Sequence, residues 1–155
     1  MNFIDSVRIC FLEFAVFKGR SRRSEFWWFQ LFAIIGTFGA DFIDTTFLGY
    51  DELSYFTPLA TTFDAVTLLP LTAVAARRLH DVGMSGWFQA PTFLFYLFYL
   101  EGVLPEFVMT WAYVAMGLAG IYFLWILFKY AKDSDPGMNA YGHNPKDPDM
   151  GTVFD

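Results

Sequence analysis

Residues 107–130 read FVMTWAYVAMGLAGIYFLWILFKY, an apolar run whose one charge is Lys129, near its end. A membrane-crossing helix needs about 20 such residues, so this stretch identifies lipid as the solvent. Three further runs answer to the same reading. The first covers roughly residues 26–48, with Trp27 and Trp28 where amphipathic rings mark a membrane interface. The second covers roughly residues 57–76, with Pro58 suited to a helix start and Pro70 expected to kink its second half. The third, roughly residues 87–104, is the shortest, with Pro91 near its start. Ahead of them, Phe3, Ile4, Val7, Cys10, Phe11 and Phe14 recur at helical spacing in a segment too short and too charged to span. The sequence therefore predicts an all-α polytopic membrane protein. Residues 1–135 form a four-transmembrane-helix bundle with an N-terminal interfacial amphipathic helix, and residues 136–155 form a tail.

Composition agrees. The chain of 155 residues is 55% hydrophobic and carries 20 Phe, more aromatic surface than a soluble domain of this size hides. The single cysteine, Cys10, excludes an internal disulfide, and Asp5 and Glu13 interrupt any leader-like segment, so no cleavable signal peptide is expected.

Charge gives the orientation. The ten Lys and Arg fall in three stretches: Arg8, Lys18, Arg20, Arg22 and Arg23; then Arg77 and Arg78; then Lys129, Lys132 and Lys146. The two remaining loops carry only Asp51, Glu52, Glu101 and Glu106. By the positive-inside rule both termini are expected in the cytoplasm. The net charge of −6 then divides into an outer half with seven acids and no base, and a cytoplasmic side with ten bases and nine acids. The small residues Gly36 and Gly39, and Ala112, Ala115, Gly117, Ala119 and Gly120, read as ordinary helix packing in lipid, with dimerisation as the alternative.

Three constellations could carry chemistry. In residues 17–29, FKGRSRRSEFWWF, the bases sit at headgroup level; Ser21 or Ser24 is expected to cap the next helix, with Glu25 in its first turn. A topology anchor is the plain reading, and a headgroup, phosphate or partner site the alternative. In residues 76–87, ARRLHDVGMSGW, two Arg, His80 and Asp81 fall in a tight hairpin that Gly83 and Gly86 permit. The guanidinium forks of Arg77 and Arg78 suit carboxylate or phosphate, and His80 titrates near neutrality. A structural role is the plain reading, ligand or lipid binding the second, and catalysis through His80, with Ser85 nearby, the weakest. Only His143 could join His80 and Asp81, so neither a metal nor a cofactor is expected. The third set is Asp41, Asp44 and Asp64. The plain reading ends the first span early and hydrogen-bonds Asp64 to Thr61, Thr62 or Thr67. In the alternative, Asp41 and Asp64 meet within the membrane and share a proton or bind a cation.

Gly19-Arg20, Ser24–Trp28 (with Glu25 and Trp27), Arg77–Gly83, Ser85-Gly86-Trp87, Pro136-Gly137, Asn139, Tyr141-Gly142 and Pro145 stand in the order that resembles the domain of unknown function 805 family, YhaH-like small bacterial inner-membrane proteins. The resemblance covers nearly the whole chain. Met84 and Ala140 depart from it where polar or basic residues are frequent. It implies a multi-pass protein of the bacterial inner (plasma) membrane with no established catalytic activity. It also implies that the three shared blocks fold together as one cytoplasmic cap, held by Arg20 or Arg77 pairing with Glu25, Asp81 or Asp135.

The reading that follows is a non-enzymatic membrane protein. Its basic cap, with Arg20, Arg77, Arg78, His80 and Asp81, would bind anionic lipid headgroups, a small anion or a protein partner. A homo-oligomer or another membrane protein is the expected partner class, and nucleic acid is not. The alternative is proton- or cation-coupled transport using Asp41 and Asp64.

Overall fold

The computed structural model describes residues 1–50, 57–92 and 106–147, apart from the side chains of residues 106–110 and 112. It contains α1 (Phe3–Leu12), α2 (Arg23–Phe47), α3 (Pro58–Asp81) and α4 (Glu106–Ala131), with a 3₁₀ segment over residues 86–92. Among the described residues there is no strand, only an isolated bridge between Asn139 and Gly142. Three helical stretches are long and apolar enough to cross a membrane: α2, α3 and the Tyr113–Ala131 part of α4. Of the expected third span, the described beginning is 3₁₀, and residues 93–104 lie outside the described residues.

Local chemistry accounts for the helix ends. At α1, the Asn2 side chain accepts from Asp5 N at 2.8 Å, an ordinary N-cap. This helix stops at Leu12, short of Phe14, and lies on α2 through edge-on rings, Phe3 against Trp28 and Phe11 against Phe29. The expected Ser21 or Ser24 cap on α2 is not made. Arg22 occupies the N-cap without a side-chain bond, and Ser21 N donates to Arg77 O instead.

The start of α3 has Pro58 in its first turn, and Thr57 gives no side-chain cap. The cap comes from another helix. Asp44 of α2 accepts from Leu59 N at 2.9 Å and Ala60 N at 3.0 Å, and is fully buried. A carboxylate on the orphan N–H groups of a helix start is stabilised by both the bonds and the dipole. Asp64 is exposed and accepts from Thr37 Oγ1 at 2.5 Å, so its partner lies across on α2 and is none of the three expected threonines. Thr62 and Thr67 donate to the carbonyls four residues back, as helical threonines readily do.

The end of α3 lies five residues beyond the expected Ala76. Arg77 to Asp81 therefore form its last helical turns rather than a hairpin. Cations suit that end of the dipole. The stop is a Schellman motif: Gly83 has φ +73°, Gly83 N donates to His80 O, and Met84 N donates to Leu79 O. Met84 packs against the core, so this departure from the family pattern has an apolar role at the cap. Gly86 differs from Gly83 in kind: its φ is not positive, and a Cβ there would stand 2.7 Å from Ala76 Cβ. It permits close approach of the 3₁₀ segment to α3 rather than a reversal.

The core gathers where α2 begins and α3 and α4 finish, hereafter the basic end. It joins Cys10, Phe26, Phe29, Val74, Ala75, Leu79, Ile126 and Tyr130. Phe26 stacks on Tyr130 with centroids 4.4 Å apart, which fixes α4 beside α2. Away from this end the helices present apolar side chains outward, Phe47 at 73% and Ile121 at 70% exposure, a surface suited to lipid. There α2 and α3 pack closely because Gly36 leaves room for the Phe63 ring, which a Cβ would strike.

Replacing Asp44 with Ala should uncap α3 and cost about 1–2 kcal/mol. Thermal unfolding in detergent checks this: Asp44→Ala lowers the midpoint, while Asp41→Ala, at a half-buried site three residues away, stays near wild type.

Candidate functional site

Asp81, fully buried at the end of α3, sits between two arginines. Its Oδ1 accepts from Arg20 Nε at 2.9 Å, and its Oδ2 pairs with Arg78 Nη1. Each arginine then reaches a different part of the chain. Arg78 donates to the carbonyls of Tyr130, at 3.0 Å, and Lys132, which are acceptors at the end of α4. Arg20 donates to the carbonyls of Asp135 at 2.7 Å, Gly137 at 2.7 Å and Gly142 at 3.2 Å, all in the tail. One carboxylate thus connects the hinge before α2, the end of α3, the end of α4 and the tail.

Arg77 points the other way. Its guanidinium pairs with Glu13 after α1 and with Glu25 of α2 at 3.0 Å. Its Nε is buried with no hydrogen-bond partner among the described residues. Cys10 lies buried in this neighbourhood; burial, with the Glu25 carboxylate adding to it, pushes its thiol up to about 12.

His80 Nδ1 lies 3.1 Å from Gly19 O, a carbonyl, so that nitrogen carries the proton and Nε2 is left as the acceptor. Tyr141 stacks on the imidazole at 3.9 Å with the planes within 2° of parallel. Asn139 Nδ2 donates to His80 O at 2.9 Å, while its Oδ1 accepts from Tyr141 N. Beside His80 lies a cavity of about 560 Å³ lined by Phe17, Ser85, Gly86 and Trp87 among others. The Ser85 hydroxyl oxygen accepts from Trp87 N at 3.4 Å, and Trp87 is 84% exposed. Among the described residues, no group of three or more His, Cys, Asp or Glu is placed to hold a metal.

Gly19, Arg20, Glu25, Arg77, Arg78, His80, Asp81, Gly83, Gly137, Asn139, Tyr141 and Gly142 thus assemble as one unit, while Trp27 stands at its edge and Pro136 is exposed. Asp41 and Asp64 take no part in it, since both lie toward the opposite end of their helices, Asp41 late in α2 and Asp64 early in α3. Two features escaped sequence reasoning. The first is that Arg20, Arg77 and Arg78 are enclosed by internal partners, with side chains at most 3% exposed. The second is a cavity of about 500 Å³ lined by Arg22, Arg23, Ser24, Trp27, Ala131 and Lys146. The run of bases at residues 20–23 was visible in sequence; that it divides into one inward and two outward arginines was not.

Losing one partner of a buried pair costs about 3–5 kcal/mol, because the other charge is stranded. Asp81→Ala should therefore free the tail, and limited proteolysis of the membrane-embedded protein should cut after Ala131 much faster than in wild type. Cys10 gives an independent check of packing at the same end. With a thiol at about 12, thiolate is roughly one part in ten thousand at about pH 8, so maleimide labelling should be slow until SDS unfolds the protein.

A family model described as protein of unknown function (DUF805) matches residues 14–143, which include every residue of the Asp81 unit. Inner membrane protein YhaI of Escherichia coli (strain K12) is 32% identical over 131 residues, 84% of this chain and 86% of that protein. Inner membrane protein YhaH of the same organism is 41% identical over 71 residues, and the match spans 46% of this chain and 58% of YhaH. No solved structure matches the chain. The chain belongs to the DUF805 family of proteins of unknown function, and it is a transmembrane protein.

Proposed function

We propose that this chain is a non-enzymatic inner-membrane protein of four spans, with both termini in the cytoplasm, whose basic end rests on the anionic inner leaflet and binds lipid headgroups. The observation that carries this reading is the division of the cations. Arg20, Arg77 and Arg78 are enclosed in ion pairs that build the cap. Arg8, Lys18, Arg22, Arg23, Lys129, Lys132 and Lys146 remain exposed or half-exposed at the same end. Trp27 and Trp28 are also exposed there, as interfacial rings are. Each outward cation near an anionic surface contributes about 1 kcal/mol, so several together give a firm and salt-sensitive attachment. The names of the relatives, both inner membrane proteins, support the location.

The alternative of proton- or cation-coupled transport has less support. It needs Asp41 and Asp64 to face one another, whereas Asp64 takes the Thr37 hydroxyl and Asp44 is committed to the start of α3.

Extraction into native-membrane nanodiscs tests the headgroup reading. Lipid retained by the wild type should be enriched in anionic species over the bulk membrane, and the combined variant Arg8→Gln, Lys18→Gln, Lys132→Gln should lose most of that enrichment. A retained lipid mixture equal to the bulk membrane would sink the proposal.

A further inference from the structure

We infer that the cavity bounded by the start of α2, the end of α4 and the tail is a binding site for a phosphate monoester group. That group is carried either by an anionic lipid or by a soluble ester. The inference rests on the headgroup reading above and narrows it to one place and one charge state.

The cavity, about 500 Å³, takes Arg22, Arg23, Ser24 and Trp27 from α2 and its N-cap, Ala131 from α4 and Lys146 from the tail. Arg22 Nε donates to Pro145 O at 2.6 Å, which fixes the plane of the guanidinium. Neither Nη atom of Arg22 has a partner among the described residues. The two Nη atoms of Arg23 each reach an acceptor, Ala131 O and Asp133 Oδ1, at 3.4 Å. Those contacts are long for hydrogen bonds and are readily exchanged for better ones. Lys146 Nζ pairs with Asp133, whose side chain is 63% exposed. Three cations therefore line the site with one carboxylate, Asp133, among them, while Glu25, whose charge also reaches Arg22, is paired behind them with Arg77, so the site keeps a surplus of positive charge.

That surplus selects the ligand. A phosphate monoester carries about −1.5 to −2 charge at pH 7 and offers three oxygens, whereas a phosphodiester carries a single charge. Arginine forks and an ammonium are the groups that recognise such oxygens. The start of α2 adds to this, since no side chain caps its first turn, from which Arg23 and Ser24 line the cavity. The Ser24 hydroxyl supplies a further donor. Trp27, 39% exposed, gives the cavity an apolar wall on the side that continues into the crossing helix, where an acyl chain would follow its headgroup.

The site also depends on the cap. Arg20 holds the tail at Asp135, Gly137 and Gly142, and so sets where the following residues Pro145 and Lys146 lie. The enclosed arginines position the outward ones.

Native mass spectrometry of the full-length protein, titrated separately with phosphatidic acid and phosphatidylglycerol, tests the inference. The wild type should retain phosphatidic acid about tenfold better than the diester, the scale of one charge-assisted bond. Arg22→Gln and Lys146→Gln should each remove the preference, and Arg22→Lys should keep part of it. Lys146→Gln is decisive, because it leaves the Arg22 contact with Pro145 untouched. Inorganic phosphate that displaces the lipid, or that binds where phosphatidic acid does not, supports the monoester site and identifies its source as lipid in the first case and soluble in the second. Equal retention of both lipids, unchanged in both Gln variants, overturns the site while leaving the headgroup reading standing. No anionic lipid enrichment and no phosphate binding overturns both.

Discussion

The shared carboxylate of Asp81 is the interaction on which the basic end depends. It is buried, and a buried carboxylate persists only where strong partners replace its water. Arg20 and Arg78 do so from opposite sides, one on each oxygen. Two cations against one anion leave a positive charge, which backbone carbonyls absorb: those of Tyr130 and Lys132 for Arg78, and those of Asp135, Gly137 and Gly142 for Arg20. The carbonyls of Tyr130 and Lys132 would otherwise be orphans at a helix end. Satisfying the charge and satisfying the backbone are here the same act, which is why four chain segments meet at one point.

The two ends of the bundle solve one problem in different ways. Lipid-facing helices gain little by hiding apolar side chains from one another, so polar groups and close backbone approach must set the geometry. At the far end Asp44 crosses from α2 to the first turn of α3, near the place where Gly36 admits Phe63. At the basic end Asp81 and its arginines do the corresponding work, and an aromatic core fills behind them. Each end has a buried aspartate with a partner on another segment, Leu59 and Ala60 of α3 for Asp44 and Arg20 of the hinge for Asp81. The register of α2 against α3 is thereby fixed at both ends.

Long apolar runs and the positions of Lys and Arg were legible in the sequence, because both report on solvent and on charge, which need no tertiary structure. The three described crossing helices follow them closely. The helical ending of α3 was not legible, because a run such as Arg77-Arg78-Leu79-His80-Asp81 reads as a polar loop until its acceptors are known. Nor could sequence choose between Asp41 and Asp44. They lie three residues apart on one helix, and only the packing of α2 on α3 decides which carboxylate reaches the free N–H groups of Leu59 and Ala60. The stacking of Tyr141 on His80 joins residues 61 positions apart and has no local signal.

Adjacent arginines make the same point about the candidate site. Arg77 and Arg78 differ by one position, about 100° around the helix, so they cannot serve the same neighbours. Arg77 turns to Glu13 and Glu25 and binds α1 and α2; Arg78 turns to Asp81 and the end of α4. In the hinge, Arg20 turns inward while Arg22 and Arg23 face the cavity. A basic motif in this chain is therefore two populations interleaved: struts whose charge is neutralised within the fold, and cations whose charge is left for something outside it. Conversely, a strut such as Arg20 influences any outside ligand only through the tail it holds in place.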